Sequence, residues 1–418
     1  MNRNRSYLDS DIFQYLLIYP THALLFALAL LIPIYPPLVH KLFAVLSIFT
    51  VAILSMNLMA RRYPLMSLLI SGDIFLLFIA IIVLAGAPDR QFNWHLLPTI
   101  YWIFACYFLT YAFRLVPGLN TRVYLLILSA TAAALLPVLY PLTNLDIGSA
   151  IELPQLLHSL FDNQQLFSFL SAQTLGFPVA ILILNYRLSR LWNGITWASC
   201  IALLLTIFLT AELTGAVMAA LVFVCCYFLL RRVSFLGIAL VILLSFTYFG
   251  NRLNSPIFNR PNQVTKEADQ LQRRQILRAN VRMFQSHPWL GVGYEKNKEL
   301  LRTHLEPPVE IPPSPAPNTY FQILATTGIF GFLCFMGFFL SFLFKTLKLW
   351  QEIPKSHLWH KSFVLGALSS QVVFHGAGLY LWTFGEPSMV YPFVFSLTII
   401  AVLSGKYSSG IVSDDYSI

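Results

Sequence analysis

The stretch LTGAVMAALVFVCCYFLL, residues 213–230, carries no charged side chain and stops against Arg231 and Arg232. A run of that length and polarity crosses the roughly 30 Å hydrocarbon layer as a helix, the form that satisfies its own backbone where water is absent. Similar runs lie at 14–34, 41–60, 64–86, 96–113, 123–140, 166–185, 195–211, 234–250, 320–343, 361–382 and 389–405. With 57% hydrophobic and 11% charged residues and a mean hydropathy of +0.69, the 418-residue chain lacks the charge to cover a globular surface. The reading is an all-α, polytopic integral membrane protein of about twelve spans. No small-residue cleavage site follows the first run, which is expected to persist as a span.

Arg3, Arg5, Arg61, Arg62, Arg114, Arg122, Arg187, Arg190, Arg231, Arg232, Lys345, Lys348 and Lys406 fall on one side if the spans alternate. The positive-inside rule makes that side cytoplasmic, with both termini in the cytoplasm. Loop 141–165, bearing Asp146, Glu152 and Asp162 and no Lys or Arg, is then outside. So is 251–318, although it carries ten Lys or Arg against six Asp or Glu. Loops this long translocate largely regardless of charge, so these cations are available to an anionic partner. The chain divides into an N-terminal bundle over 1–250 (about nine helices), an outer loop over 251–318, and about three spans with a cytoplasmic tail over 319–418. A cysteine placed at Ser314 is expected to react with a membrane-impermeant thiol reagent in sealed cells, and one at Ser356 to stay unlabelled; equal labelling would break this topology.

The cysteines, Cys106, Cys200, Cys225, Cys226 and Cys334, all fall within spans and show no CxxC or Cys/His ligand spacing. They read as packing residues. No nucleotide loop, GxSxG or HExxH occurs, so no metal or other cofactor is expected, and much of the net charge of +9 reflects the inside rule, with no nucleic-acid partner expected.

Within the outer loop, KEADQLQRRQILRANVRMFQ (266–285) reads as a helix. Arg274, Arg278 and Arg282 recur at i, i+4 and i+8, with Arg273 beside them, and Leu277, Val281 and Phe284 form a neighbouring apolar stripe. Guanidinium groups pair bidentately with phosphate oxygens, so the row suits a diphosphate; the plainer alternative is a basic amphipathic helix on anionic headgroups. In SHPWLGVGYEKN (286–297), Pro288 ends that helix while Gly291 and Gly293 allow a sharp turn or close backbone approach. LEPPVEIPPSPAP (305–317) is stiff and extended, and Asn318 is placed to cap the next helix. Glu212 sits at a tight outside turn in apolar surroundings, as either a functional acid or a hydrogen-bonded structural one. His375 lies within a span and reads as pocket-lining or helix-pairing.

SHPWLGVGYEKN resembles the HPxxGxG segment of the O-antigen ligase and polymerase superfamily, and NTYFQILATTGIFG (318–331) resembles its Asn-x9-Gly-x2-Gly pattern in Asn318, Gly328 and Gly331. Arg282 and Gly293 make an Arg-x10-Gly spacing like that of the polymerases, and LFDNQQLFSFLSAQTLGFPVAIL (160–182) is similar to an Asn-containing entry to a mid-chain helix. The resemblance implies a metal-independent, multi-helix (GT-C-like) glycosyltransferase in the bacterial inner membrane. Its donor would be a polyprenyl-diphosphate-linked glycan and its acceptor a lipid A core or another glycan, met on the periplasmic side among inner-membrane lipids. Polymerisation, protein glycosylation, a catalytically dead relative and a lipid or polysaccharide transporter are the alternatives. The family carries His directly before the motif Asn and Ser-Arg at the outside turn before the eighth span; here these are Pro317 and Leu213-Thr214. A base must therefore come from elsewhere, with Glu212, His304 and Glu306 as candidates beside Asn318. Gly328 and Gly331 are expected to let neighbouring helices pack closely.

Overall fold

The computed structural model describes residues 164–185, 188–209, 213–249, 263–305 and 315–408, with isolated helical positions between 23 and 48 and between 123 and 131. The remainder of the first five expected spans lies outside the described residues, as do Glu212 and Glu306. From Gln164 onward the helices are α1 (Gln164–Leu184), α2 (Arg190–Leu209), α3 (Leu213–Leu230), α4 (Ser234–Phe249), α5 (Gln263–Ser286), α6 (Tyr294–His304), α7 (Thr319–Glu352), α8 (Leu358–Ala377) and α9 (Pro387–Ser408). A short 3-10 turn, Thr383–Gly385, joins the last two. No strand occurs among the described residues. Among the described residues, three helices, Arg190–Phe208, Leu213–Leu230 and Thr319–Glu352, are long and apolar enough to cross a membrane by length and composition.

The bundle is built on α1 and α8, which pack against each other, with α3 touching both and α9 lying along α8. Their close approach has a local cause. A β-carbon on Gly176 of α1 would meet the Gly366 carbonyl oxygen at 3.3 Å and run into Ser369, and one on Gly366 would strike the Phe177 ring. Small residues here bring two backbones together where water cannot drive helices to associate. Polar side chains add direction: Asn185 Nδ2 donates to Ser362 Oγ, and Gln173 Nε2 donates to the Met389 carbonyl of α9 at 3.1 Å. Val123, Leu126 and Ile127 are buried in the same core.

Cys200, Cys225 and Cys226 are buried and unbonded to one another, as packing cysteines would be. Outside the bundle proper, α5 and α6 form a cap whose separate small core joins Ile276, Ala279 and Met283 to Val292, Leu301, Ala316 and Ala325. The buried side of α5 is thus Ile276, Ala279, Asn280 and Met283, while Leu277, Val281 and Phe284 are only half-buried. The expected apolar stripe is displaced because α5 packs on α6 and α7 within the protein.

Candidate functional site

The turn after α5 and a break in α7 form one unit. Gly328 has φ 64° and ψ −167° inside α7, so the helix ladder is interrupted there. Four backbone groups that the break frees are taken up by the HPWLGVG turn. The Val292 and Gly293 amides donate to the Ala325 and Thr326 carbonyls at 2.9 and 3.0 Å, and the Ile329 and Phe330 amides donate to the Pro288 and Trp289 carbonyls at 2.8 and 3.4 Å. Buried backbone groups must find partners, and here two non-helical segments satisfy each other. Gly291 has φ 70°, and a β-carbon on it would run into the Thr326 and Thr327 backbone; one on Gly328 would run into Trp289 and Leu290. Gly328 therefore serves a backbone exchange and not the helix–helix packing expected of it; a β-carbon on Gly331 would meet the Thr327 side chain of its own helix. Gly293, at φ 89°, precedes α6 as its N-cap.

Beneath the cap runs a chain of buried amides. Asn280 Nδ2 donates to the Ile276 carbonyl at 2.8 Å, Asn297 Nδ2 donates to Asn280 Oδ1 at 2.9 Å, and Gln322 Nε2 donates to Asn297 Oδ1 at 3.0 Å. Gln322 Oε1 then accepts from the Ala316 amide at 2.7 Å, tying the end of the proline segment to α7. Truncating Gln322 to Ala takes the donor from Asn297 Oδ1 and the acceptor from the Ala316 amide, and is expected to cost about 1–3 kcal/mol of stability, readable as a lower thermal midpoint.

Asn318 caps α7 as the sequence suggests: its Oδ1 accepts from the Tyr320 and Phe321 amides at 2.9 and 3.1 Å, and its Nδ2 donates to the Leu379 carbonyl at 3.1 Å. Thr319 continues the same seam. Its amide donates to the Gly378 carbonyl at 2.7 Å, its hydroxyl donates to the Leu381 carbonyl at 2.9 Å, and the Thr383 amide donates back to Thr319 Oγ1 at 3.0 Å. The N-terminus of α7 is thereby fastened to the turn between α8 and α9. Tyr320 adds a hydroxyl bond to the His375 carbonyl at 3.0 Å, and His375 packs edge-on against Phe339 with centroids 3.9 Å apart, a helix-pairing histidine. Phe374, stacked on Phe393 at 4.1 Å, and Phe384 complete an aromatic layer below the turn.

Arg273 reaches this turn, its guanidinium donating to the Tyr380 carbonyl at 3.3 Å, next to the carbonyl that Asn318 holds. Arg274, Arg278 and Arg282 are exposed on the side of α5 away from the buried Ile276, Ala279 and Met283. Arg282 donates to the His304 carbonyl at 3.1 Å. The His304 ring is half-buried, with Nδ1 2.9 Å from the Leu300 carbonyl and 3.1 Å from Thr303 Oγ1. The geometry thus joins Arg273 to Asn318, Arg282 to His304, and Gly291 and Gly293 to Gly328.

Sequence reasoning passes over Glu386. It follows the 3-10 turn, begins the turn into α9, and its amide donates to the Thr383 carbonyl at 3.2 Å. Its carboxyl has no hydrogen-bond or ion-pair partner among the described residues, and burial pushes its pKa above the ordinary carboxylate range. The available signal was an acid just before a proline at an expected outside turn, the reasoning applied to Glu212.

No curated protein matches the chain. Residues 198–336, which contain α5, the HPWLGVG turn, Asn318 and the break at Gly328, match the model of a family described as O-antigen ligase, which supports the superfamily of O-antigen ligases and polymerases.

Proposed function

We propose that the chain is an O-antigen ligase-like glycosyltransferase. It moves a glycan from a polyprenyl-diphosphate carrier to an acceptor hydroxyl, of a lipid A core or another glycan, on the periplasmic side of a bacterial inner membrane. The observation that carries this reading is the interlock of the HPWLGVG turn with the broken α7, in the stretch where the family match lies. It holds the basic helix α5 over the seam where Arg273, Asn318 and the α8–α9 turn meet.

The chemistry assigns the parts. As the anomeric C–O bond to the diphosphate breaks, negative charge grows on the leaving oxygens, and preorganised cations lower that barrier. Arg273, with Arg274, Arg278 and Arg282 along the same helix, supplies those cations without a metal ion. Asn318 positions: both atoms of its amide are committed to holding the seam. The acceptor hydroxyl must lose its proton as it attacks, which calls for a base with a pKa raised toward neutrality. Glu386 joins Glu212, His304 and Glu306 as a candidate base, and leads them because its carboxyl is half-buried beside the seam.

Glu386→Gln is expected to lower transfer by about a hundredfold, within the range for removing a general base. A base works as carboxylate, so the wild-type rate should rise with pH through a raised pKa, and the Gln variant should lose that limb. An unchanged pH profile in Glu386→Gln would return the role to Glu212, His304 or Glu306. The reaction itself is tested by surface glycan analysis of a deletion strain. Complete polymer accumulating on the lipid carrier is the expected result; single repeat units on the core would make the chain a polymerase, and unaltered surface glycan would overturn the proposal.

A further inference from the structure

At the end of the bundle remote from the α5–α6 cap, a groove of about 560 Å³ opens between α3 and α7, with Val372 of α8 in its floor. Both α3 and α7 lie against α8, which forms the base of the groove. The walls are hydrocarbon: Phe228 and Leu229 from α3, Leu347 and Trp350 from α7. One end is cationic. Arg231, exposed and one residue past α3, belongs to the lining. Lys361 reaches over the Trp350 ring, its Nζ 4.6 Å from the ring centroid and 3.2 Å from the Trp350 carbonyl.

Arg231 is also the one non-glycine residue with a left-handed φ, 56°, among the described residues. Its amide donates to the Tyr227 carbonyl at 2.7 Å and closes the last turn of α3, a place where glycine is the unstrained choice. A strained backbone that keeps a long cationic side chain at the end of an apolar groove invites a functional reading. Apolar walls ending in the Arg231 cation, with an indole at the boundary that carries a second cation on its ring, match the build of a lipid whose phosphate sits at the membrane surface.

We propose that this groove binds an anionic phospholipid, one acyl chain lying between α3 and α7 and the phosphate held at Arg231. By the positive-inside reading the site opens to the cytoplasmic leaflet. A net-negative headgroup is preferred, since a zwitterionic one brings its own ammonium to compete with the guanidinium. The site is independent of glycan transfer, so it stands or falls separately from the proposed reaction.

The test uses the full-length protein purified in detergent, titrated with phosphatidylglycerol or phosphatidylcholine and examined by native mass spectrometry. Wild type is expected to retain one phosphatidylglycerol with at least a tenfold preference over phosphatidylcholine. Arg231→Gln, which removes the charge at an exposed position, and Leu347→Trp, which fills the groove and leaves Arg231 in place, should each abolish that preference. Arg190→Gln, an exposed cation outside the groove, should keep it. Equal retention of the two lipids by wild type would overturn the proposal, as would an Arg231→Gln variant that behaves like Arg190→Gln.

Discussion

Gly328→Ala is expected to remove most of the folded protein from the membrane. Two costs add at this residue. Its φ of 64° and ψ of −167° lie in a region that is essentially confined to glycine, worth about 1–3 kcal/mol against any side chain. The new methyl group would also run into the Trp289 carbonyl and the Leu290 amide, backbone atoms that cannot rotate aside, and such overpacking costs about 1–3 kcal/mol more. The sum, about 2–6 kcal/mol, is comparable with the whole stability of many domains. Relief by moving the turn would break the four backbone bonds between 288–293 and 325–330. Gly331→Ala, whose methyl group meets the Thr327 side chain of its own helix, should do less harm, because Gly331 has no left-handed φ and no neighbouring backbone in its way. The measurement is the amount of monodisperse protein recovered in mild detergent, with its thermal midpoint. Wild-type recovery of Gly328→Ala would show that the break is not maintained in the membrane.

Arg273→Ala should lower transfer by on the order of 3 kcal/mol in barrier, about a hundredfold in rate, if its guanidinium pairs with charge that develops on the leaving diphosphate. Arg273 also holds the Tyr380 carbonyl, so truncation alone leaves two explanations. Arg273→Lys separates them. An ammonium can still donate to a carbonyl, but it cannot form the bidentate fork with phosphate oxygens. Poor rescue by Lys, with wild-type abundance and thermal midpoint, indicates phosphate binding; full rescue indicates a tether. Arg274→Ala and Arg282→Ala should also fall well below wild type, while Arg302→Ala, exposed on α6, serves as the control. If stripe and control behave alike, α5 is better understood as a basic helix at the membrane surface.

The helices from Gln164 onward were legible because hydrocarbon thickness sets a length and polarity that composition reports directly, and three of them are long and apolar enough to cross a membrane. Residues 213–230 were bounded to the residue by Arg231 and Arg232. The span expected over 320–343 continues as α7 to Glu352, because the helix runs on through a polar end where Lys348 and Glu352 lie 3.6 Å apart. Helix α5 was read from its periodicity, and Asn318 from its chemistry as a cap. The interlock was not legible, since backbone amides exchange partners without leaving a side-chain pattern. Only Gly291, Gly293 and Gly328 mark it, and glycines are as often placed for close packing. The amide chain through Asn280, Asn297 and Gln322 was also missed, because single amides at irregular spacing declare no partner. The base was sought at Glu212 and at His304 and Glu306 just upstream of Asn318, whereas Glu386 comes beside the seam through the fold.

The exchange between the turn and α7 also sets an order of assembly. Residues 263–305 leave the ribosome before 325–330, so α5 and α6 exist as chain while the carbonyls and amides that complete them have yet to be made. The Val292 and Gly293 amides can find their acceptors only once α7 has been synthesised. The loop therefore cannot mature by itself, and its folding waits on the synthesis of a later segment. A ribosome stalled before Ala325 should leave a nascent chain whose α5 region is readily cut by protease, and release of the arrest should be followed by protection of the loop together with α7.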